Sequence, residues 1–190
     1  MERKKKPLGT LVLAGGAALI LVFGTRQQLH IVDPIFQLVE PNDVTAFRWI
    51  RQNTPRKSRF LVNGFVFGNE NMAYGSDAGW WLPYFTRRDN TMPPAKYSME
   101  QINPGIKKDS FARIVRDVQN SHGEPDKLAA VLCREGITHI YLGERRGTVG
   151  YDIQELIPEP WLHGSPHCTL LFRRGKAQVW HFDRKGCEIP

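Results

Sequence analysis

Residues 125–142, PDKLAAVLCREGITHIYL, decide the fold class. Glu124-Pro125-Asp126 reads as a helix start, since proline fits the first turn and acidic side chains suit its free N–H groups. Leu128, Val131 and Leu132 recur at helical spacing and face one way, with Cys133 on the same apolar side. Gly136 stands where a helix stops, and the apolar strand 137–142 follows at once. A helix delivered directly into such a strand is the connection that builds open α/β sheets.

Working outward, Pro41-Asn42-Asp43 supplies an earlier helix start, with Asn42 or Asp43 placed to accept the first N–H groups. Val44, Phe47 and Ile50 give that helix an apolar face, and Asn53-Thr54-Pro55 stops it. Phe60, Leu61, Val62 and Asn63 form a short buried strand, followed by a loop punctuated by Gly64 and Gly68. Residues 74–97, rich in Gly, Pro and aromatics, read as an ordered loop with short helical turns. Asp109-Ser110 opens a helix with an inward stripe of Phe111, Ile114, Val115 and Val118. Beyond the central unit, residues 153–157 suggest a short helix. The last part reads as a β-hairpin, 169–172 and 177–182 about a turn at 173–176. The expected architecture is α/β: an N-terminal transmembrane helix, then a small, partly parallel α/β sandwich with a C-terminal β-hairpin.

The transmembrane expectation rests on residues 1–28. Arg3, Lys4, Lys5 and Lys6 precede an uncharged run, 8–24, which closes at Arg26. At 1.5 Å per residue the run rises roughly 25 Å, slightly short of a ~30 Å hydrocarbon core. The basic excess in front puts the N-terminus in the cytoplasm and places 29–190 outside as one extracytoplasmic domain. A cleaved signal peptide is the alternative, but the run exceeds an ordinary h-region and no Ala-x-Ala-like site follows. Either reading exports the domain; the first makes the lipid bilayer a partner and the chain a single-pass protein of the cell membrane.

The net charge of +7 does not indicate nucleic acid. Five of the 26 basic residues and one of the 19 acidic ones lie in residues 1–26, leaving 21 and 18, a net +3, for the rest. Its basic pairs, Arg87-Arg88, Lys107-Lys108, Arg145-Arg146 and Arg173-Arg174, are dispersed as solvated surface charge would be. Cys133, Cys168 and Cys187 form no CxxC pair, so neither a zinc site nor a disulfide framework is signalled. Cys133 reads as core. Cys168 and Cys187 flank the last hairpin and could approach each other in an oxidising compartment, but their offset from the turn is unequal, which argues against a bridge.

Chemistry concentrates in Gly75-Ser76-Asp77-Ala78-Gly79-Trp80-Trp81-Leu82-Pro83. Two tryptophans beside a carboxylate suit a sugar: an indole packs on a pyranose face while Asp77 accepts hydroxyl protons. Asp77, Trp80 and Trp81 are therefore the candidate substrate-binding residues. The structural alternative has the tryptophans covering the sheet and Asp77 satisfying backbone N–H groups in a glycine-flanked turn. No second carboxylate is fixed beside Asp77, Glu70 being the nearest on its N-terminal side, and Ser76 lacks a nucleophile elbow. No catalytic residue is assigned. His163 and His167 have a metal-like spacing, but Gly164-Ser165-Pro166 between them reads as a turn, and His139 reads as a half-buried sheet residue. Gly143, Gly147 and Gly150 hint weakly at a phosphate loop. No metal or cofactor is expected.

The segments 47–55 (FRWIRQNTP), 60–63 and 75–83 together resemble the C-terminal extracytoplasmic domain of polytopic bacterial membrane proteins of the GT-C glycosyltransferase type. The order is similar too, through the Thr138–Tyr141 strand and Ser165-Pro166-His167 before the hairpin. The resemblance implies a system that transfers sugars from polyprenyl-phosphate donors outside the cytoplasmic membrane. It also implies catalytic carboxylates in an early loop between membrane helices, which match no residue here. The chain is thus expected to be an accessory or acceptor-binding module, not catalytic alone, with a polyprenyl-linked sugar or glycan acceptor and a separate membrane transferase core as partners. A stand-alone anchored or secreted glycan-binding protein is the alternative.

Overall fold

A computed structural model describes residues 8–28, 34–67, 72–92, 109–153, 155–185 and 187. The expectations for Arg3, Lys4, Lys5, Lys6, Gly68, Glu70, Lys107, Lys108 and the end of the loop at 93–97 lie outside the described residues. The chain divides into two units, Met1–Gln37 and Leu38–Pro190. The first holds α1 (Leu8–Gln28) and a 3₁₀ turn, Pro34–Phe36. The uncharged part of α1 ends at Thr25, about 27 Å from its start at the helical rise, and Arg26-Gln27-Gln28 fill the last turn. Among the described residues no helix is long and apolar enough to cross a membrane. The span expected over residues 8–24 is thus a proposal rather than an observation of the fold.

The second unit runs α2 (Pro41–Asn53), β1 (Arg59–Val62), β2 (Gly64–Phe67), β3 (Met72–Gly75), a 3₁₀ turn (Ala78–Trp81), α3 (Leu82–Thr86) and β4 (Asp89–Asn90). It continues with α4 (Asp109–Asn120), α5 (Pro125–Arg134), β5 (His139–Leu142), β6 (Thr148–Val149), β7 (Asp152–Ile153), α6 (Glu159–His163), β8 (Cys168–Arg174) and β9 (Ala177–Phe182). The fold is α/β around a mixed five-stranded sheet of order β4-β1-β5-β9-β8. β1 runs parallel to β4 and β5, and the β8–β9 hairpin adds the antiparallel edge.

The central unit forms as its sequence dictates. Gly136, at φ 65°, closes α5, the Ile137 N–H donates to Leu132 O at 2.9 Å, and β5 starts two residues later. All four β5 residues are buried because both sheet faces are covered. Tyr141 meets Phe47 of α2 on one face, while Trp180 meets His163 of α6 on the other.

Several local expectations are corrected. Helix α2 starts at Pro41 with Glu40 outside it, and Asp43 reaches back to the Glu40 N–H at 2.7 Å. Its buried face is Asp43, Ala46, Phe47 and Ile50, while Val44 is 39% exposed. Residues 64–67 of the glycine-punctuated loop are instead β2, paired antiparallel with β3. The helix suggested at 153–157 lies at Glu159–His163, since Pro158 and Pro160 fit only a helix start. The last hairpin turns on Gly175-Lys176 alone, because β8 extends to Arg174. His139 is buried, not half-buried.

A disulfide joins Cys133 to Cys187, and Cys168 is free. The expected absence of a disulfide is overturned, and Cys187 pairs with Cys133 rather than with Cys168. Cys168 opens β8 opposite Phe182, whereas the chain leaves the sheet after Phe182 and reaches the end of α5 by Cys187. Cross-linking positions 54 residues apart restricts the unfolded chain by roughly 4 kcal/mol.

Candidate functional site

The carboxyl ends of parallel strands are where open α/β sheets present their ligand crevices. Here the chain fills that place with its own polar groups. Asn63 follows β1 and Gly143 follows β5, and both reach Asp77. Asp77 Oδ2 accepts from Asn63 Nδ2 at 2.8 Å and from the Gly143 N–H at 3.2 Å, and Oδ1 accepts from the Gly79 N–H at 2.8 Å. The last bond caps the 3₁₀ turn. Asn63 Oδ1 accepts in turn from the N–H groups of Leu156 and Ile157 at 3.1 and 3.3 Å. One carboxylate and one amide therefore tie four separate chain segments together. A side chain at position 143 would put its Cβ 2.8 Å from Asp77 Cγ, so only glycine fits.

A second carboxylate lies beside the first. Asp43 Oδ1 accepts from the Tyr141 hydroxyl at 2.6 Å and the Glu144 N–H at 2.8 Å. Glu144 then uses Oε2 to hold the N–H groups of Lys176 and Ala177 in the hairpin turn, at 2.8 and 3.1 Å. Burial pushes the Asp77 carboxyl up to about 6, opposed by its hydrogen bonds and aided by the charge of Asp43. Burial also raises Asp43, against its hydrogen bonds, and takes the Tyr141 phenol well above its ordinary value.

The aromatic residues divide between inside and outside. Trp80 is half-buried, edge-on to Tyr74, and its indole lies where a Cβ at position 75 would stand, 2.4 Å from Trp80 Cβ, so Gly75 is required there. Trp81 is 44% exposed and Tyr84 77% exposed, one helical turn on. Their rings stand at 86° with centroids 6.5 Å apart, forming an open aromatic corner. Tyr84 also meets Phe85 edge-on, and Phe85 stacks on Phe47 of α2. The corner is therefore fixed to the core at one end and, through the Asp77 cap, to the sheet at the other.

Of the three sequence candidates, Asp77 is buried and bonded to Asn63, Gly79 and Gly143, Trp80 is half-buried and Trp81 faces outward. Asn63, Asp43, Tyr141 and Tyr84 were missed. A signal for Tyr84 was present in its i+3 spacing from Trp81, which puts both on one helix face. Elsewhere the dispersed basic pairs converge: Glu159 accepts from Arg146 at 2.6 Å, Arg173 at 2.5 Å, Gln178 at 2.8 Å and His163 at 3.1 Å. The Gln178 amide leads in holding the Glu159 carboxyl below its ordinary value, with His163, Arg146 and Arg173 adding to it. The Gly143, Gly147 and Gly150 region forms turns and the short β6–β7 pair, with no helix opening there. Among the described residues no group of three or more His, Cys, Asp or Glu side chains is arranged to hold a metal.

No protein-family model matches the chain, and no curated protein matches it. The fold is similar to the C-terminal globular domain of oligosaccharyltransferase from Archaeoglobus fulgidus. The identity is 10% and the TM-score 0.44, over 76% of this chain and 99% of that one. At that level of similarity neither residues nor activity transfer.

Proposed function

We propose that this chain is an extracytoplasmic, membrane-anchored module of a GT-C-like, polyprenyl-phosphate-sugar-dependent transfer system that binds a glycan acceptor and does not catalyse transfer alone. The observation that carries this reading is the exposed Trp81–Tyr84 corner mounted on the buried Asp77 cap. An indole face takes the C–H side of a sugar ring, and the phenol hydroxyl offers a hydrogen bond beside it. In this reading Trp81 and Tyr84 touch the glycan, while Asp77 and Trp80 position them. The Cys133–Cys187 disulfide supports export, since structural disulfides persist in oxidising compartments. The sequence resemblance supports the transferase context, and the apolar run in α1 behind four basic residues supports an anchor with its N-terminus in the cytoplasm.

The test is binding of the full chain to a panel of bacterial glycans, repeated with Trp81→Ala and Tyr84→Ala. Each variant is expected to weaken binding about three- to tenfold, on the scale of a lost aromatic contact, with an unchanged far-UV circular dichroism spectrum. Absence of binding to every glycan, or binding indifferent to both substitutions, removes the reading.

A further inference from the structure

The opposite end of the parallel strands carries a group of cationic side chains that, among the described residues, meet no carboxylate. Arg88 precedes β4 and is buried, but among the described residues its guanidinium meets no carboxylate. Nε donates to Thr54 Oγ1 at 3.3 Å, Nη1 to Thr86 O at 2.9 Å, and Nη2 to Thr54 O at 2.6 Å and Arg51 O at 3.1 Å. Arg88 thus closes the C-terminus of α2, where free carbonyls carry partial negative charge. Burial, and after it the nearby Arg56 and Arg51, disfavours the charge of Arg88.

The surrounding residues add to this charge. Arg51, Arg56, Lys57 and Arg87 are exposed, and among the described residues none of them has an ion-pair partner. Asp89, the adjacent acid, is engaged with Arg59 at 3.5 Å. Arg87 holds a left-handed backbone, φ 58°, at the end of α3, a conformation uncommon for a residue with a side chain. Five cationic groups therefore gather where the ends of α2 and α3 meet the starts of β1 and β4. Like charges held together without counterions work against folding, which makes such a cluster a candidate for an external anion.

We propose that the corner bearing Arg51, Arg56, Lys57 and Arg87 docks on a surface of anionic phospholipid headgroups. Arg51 stands in the last turn of α2, Arg56 and Lys57 in the turn after it and Arg87 at the end of α3, all of them exposed, and exposed point charges suit a layer of anionic headgroups. Lipid is chosen over nucleic acid because the disulfide marks an oxidising compartment, and that choice rests on the anchored, exported reading above. Each basic residue near an anionic membrane strengthens association about fivefold, so four act together substantially.

The experiment is amide hydrogen exchange on the full chain with phosphatidylcholine vesicles, with and without phosphatidylglycerol. Exchange in the segments around residues 51–57 and 84–88 is expected to slow at least about fivefold with phosphatidylglycerol only, and to recover at high salt. Arg51→Gln with Arg56→Gln should abolish the slowing; both side chains are exposed, so the near-UV spectrum should be retained. Equal exchange with both vesicle types, or protection that survives the double substitution, overturns the proposal. So does protection by a soluble anionic polysaccharide with none from phosphatidylglycerol. Retention on vesicles after alkaline carbonate tests the anchor separately, because it depends on α1 and not on lipid charge.

Discussion

At the carboxyl ends of β1 and β5 a buried anion, Asp77, meets three donors brought by three segments of chain. Before the amino ends of β1 and β4 a buried cation, Arg88, meets only carbonyl and hydroxyl oxygens. Both charges are balanced by partial charges of the backbone, and both have neighbours of their own sign, Asp43 in one case and Arg51 and Arg56 in the other. The difference lies in where those neighbours point. Asp43 is buried and fully engaged, so the carboxyl end is closed and serves to hold loops in register. Arg51 and Arg56 are exposed, so the amino end presents its charge to solvent. Buried charge at one end of the sheet is thus internally engaged, while at the other end it is bordered by exposed charge of the same sign.

The largest break in this contrast comes from emptying the closed end. Asp77→Ala leaves Asn63 Nδ2 and the N–H groups of Gly79 and Gly143 without an acceptor. At about 1–3 kcal/mol for each orphaned buried donor, a loss of about 4 kcal/mol is expected in urea denaturation at pH 7. Arg88→Met orphans chiefly the Thr54 and Thr86 carbonyls but relieves repulsion from Arg51 and Arg56. About 2 kcal/mol is expected there. Equal losses would mean that the amino end is as tightly compensated as the other.

The two ends also titrate in opposite senses. Asp77 is raised from an ordinary 3.8 to about 6, so its contribution is full below about pH 4 and is lost as pH rises through 6. His139, buried at the start of β5, is lowered from 6.5 to about 4 by burial first and by the neighbouring His181 second. Its contribution is present above pH 6.5 and is lost as pH falls toward 4. Each amounts to about 3 kcal/mol, so between pH 4 and 6 they largely cancel. Relative to the parent, His139→Phe should gain stability steadily as pH falls from 6.5 to 4, and Asp77→Asn should lose it over 6 to 4. Parallel difference curves in guanidinium titrations at stepped pH would contradict the assignment.

Legibility in the sequence followed the range of the interactions. The α5–β5 unit and the final hairpin were readable because Leu128, Val131, Leu132 and Gly136, or the apolar residues of β8 and β9, carry their periodicity locally. The β2–β3 pair was hidden because Gly64 and Gly68 are also how loops look. At the site, the Gly-flanked turn at Asp77 could be anticipated, but its partners lie 14 and 66 residues away, and no local pattern encodes them. The disulfide partner of Cys133 was lost for the same reason. Arg88 read as surface charge, since the carbonyls that bury it belong to the end of a helix more than thirty positions earlier.

The smallest effect examines the open end most directly. Arg56 is exposed and contacts Arg88 only through its charge, so replacing it with Gln removes repulsion and almost no packing. Arg56→Gln should therefore stabilise the chain by a few tenths of a kcal/mol at low ionic strength, a sign opposite to that of most substitutions. The Debye length is ~10 Å at 0.1 M salt and ~3 Å at 1 M, so the gain should vanish in concentrated salt. Thermal melts at the two salt concentrations measure it. A loss at low salt would show that Arg56 makes a favourable contact instead, and the amino end would then be as closed as the carboxyl end. The expected gain leaves Arg56 as a group whose charge is costly in the isolated domain, and which therefore has free energy to recover when an anion meets it.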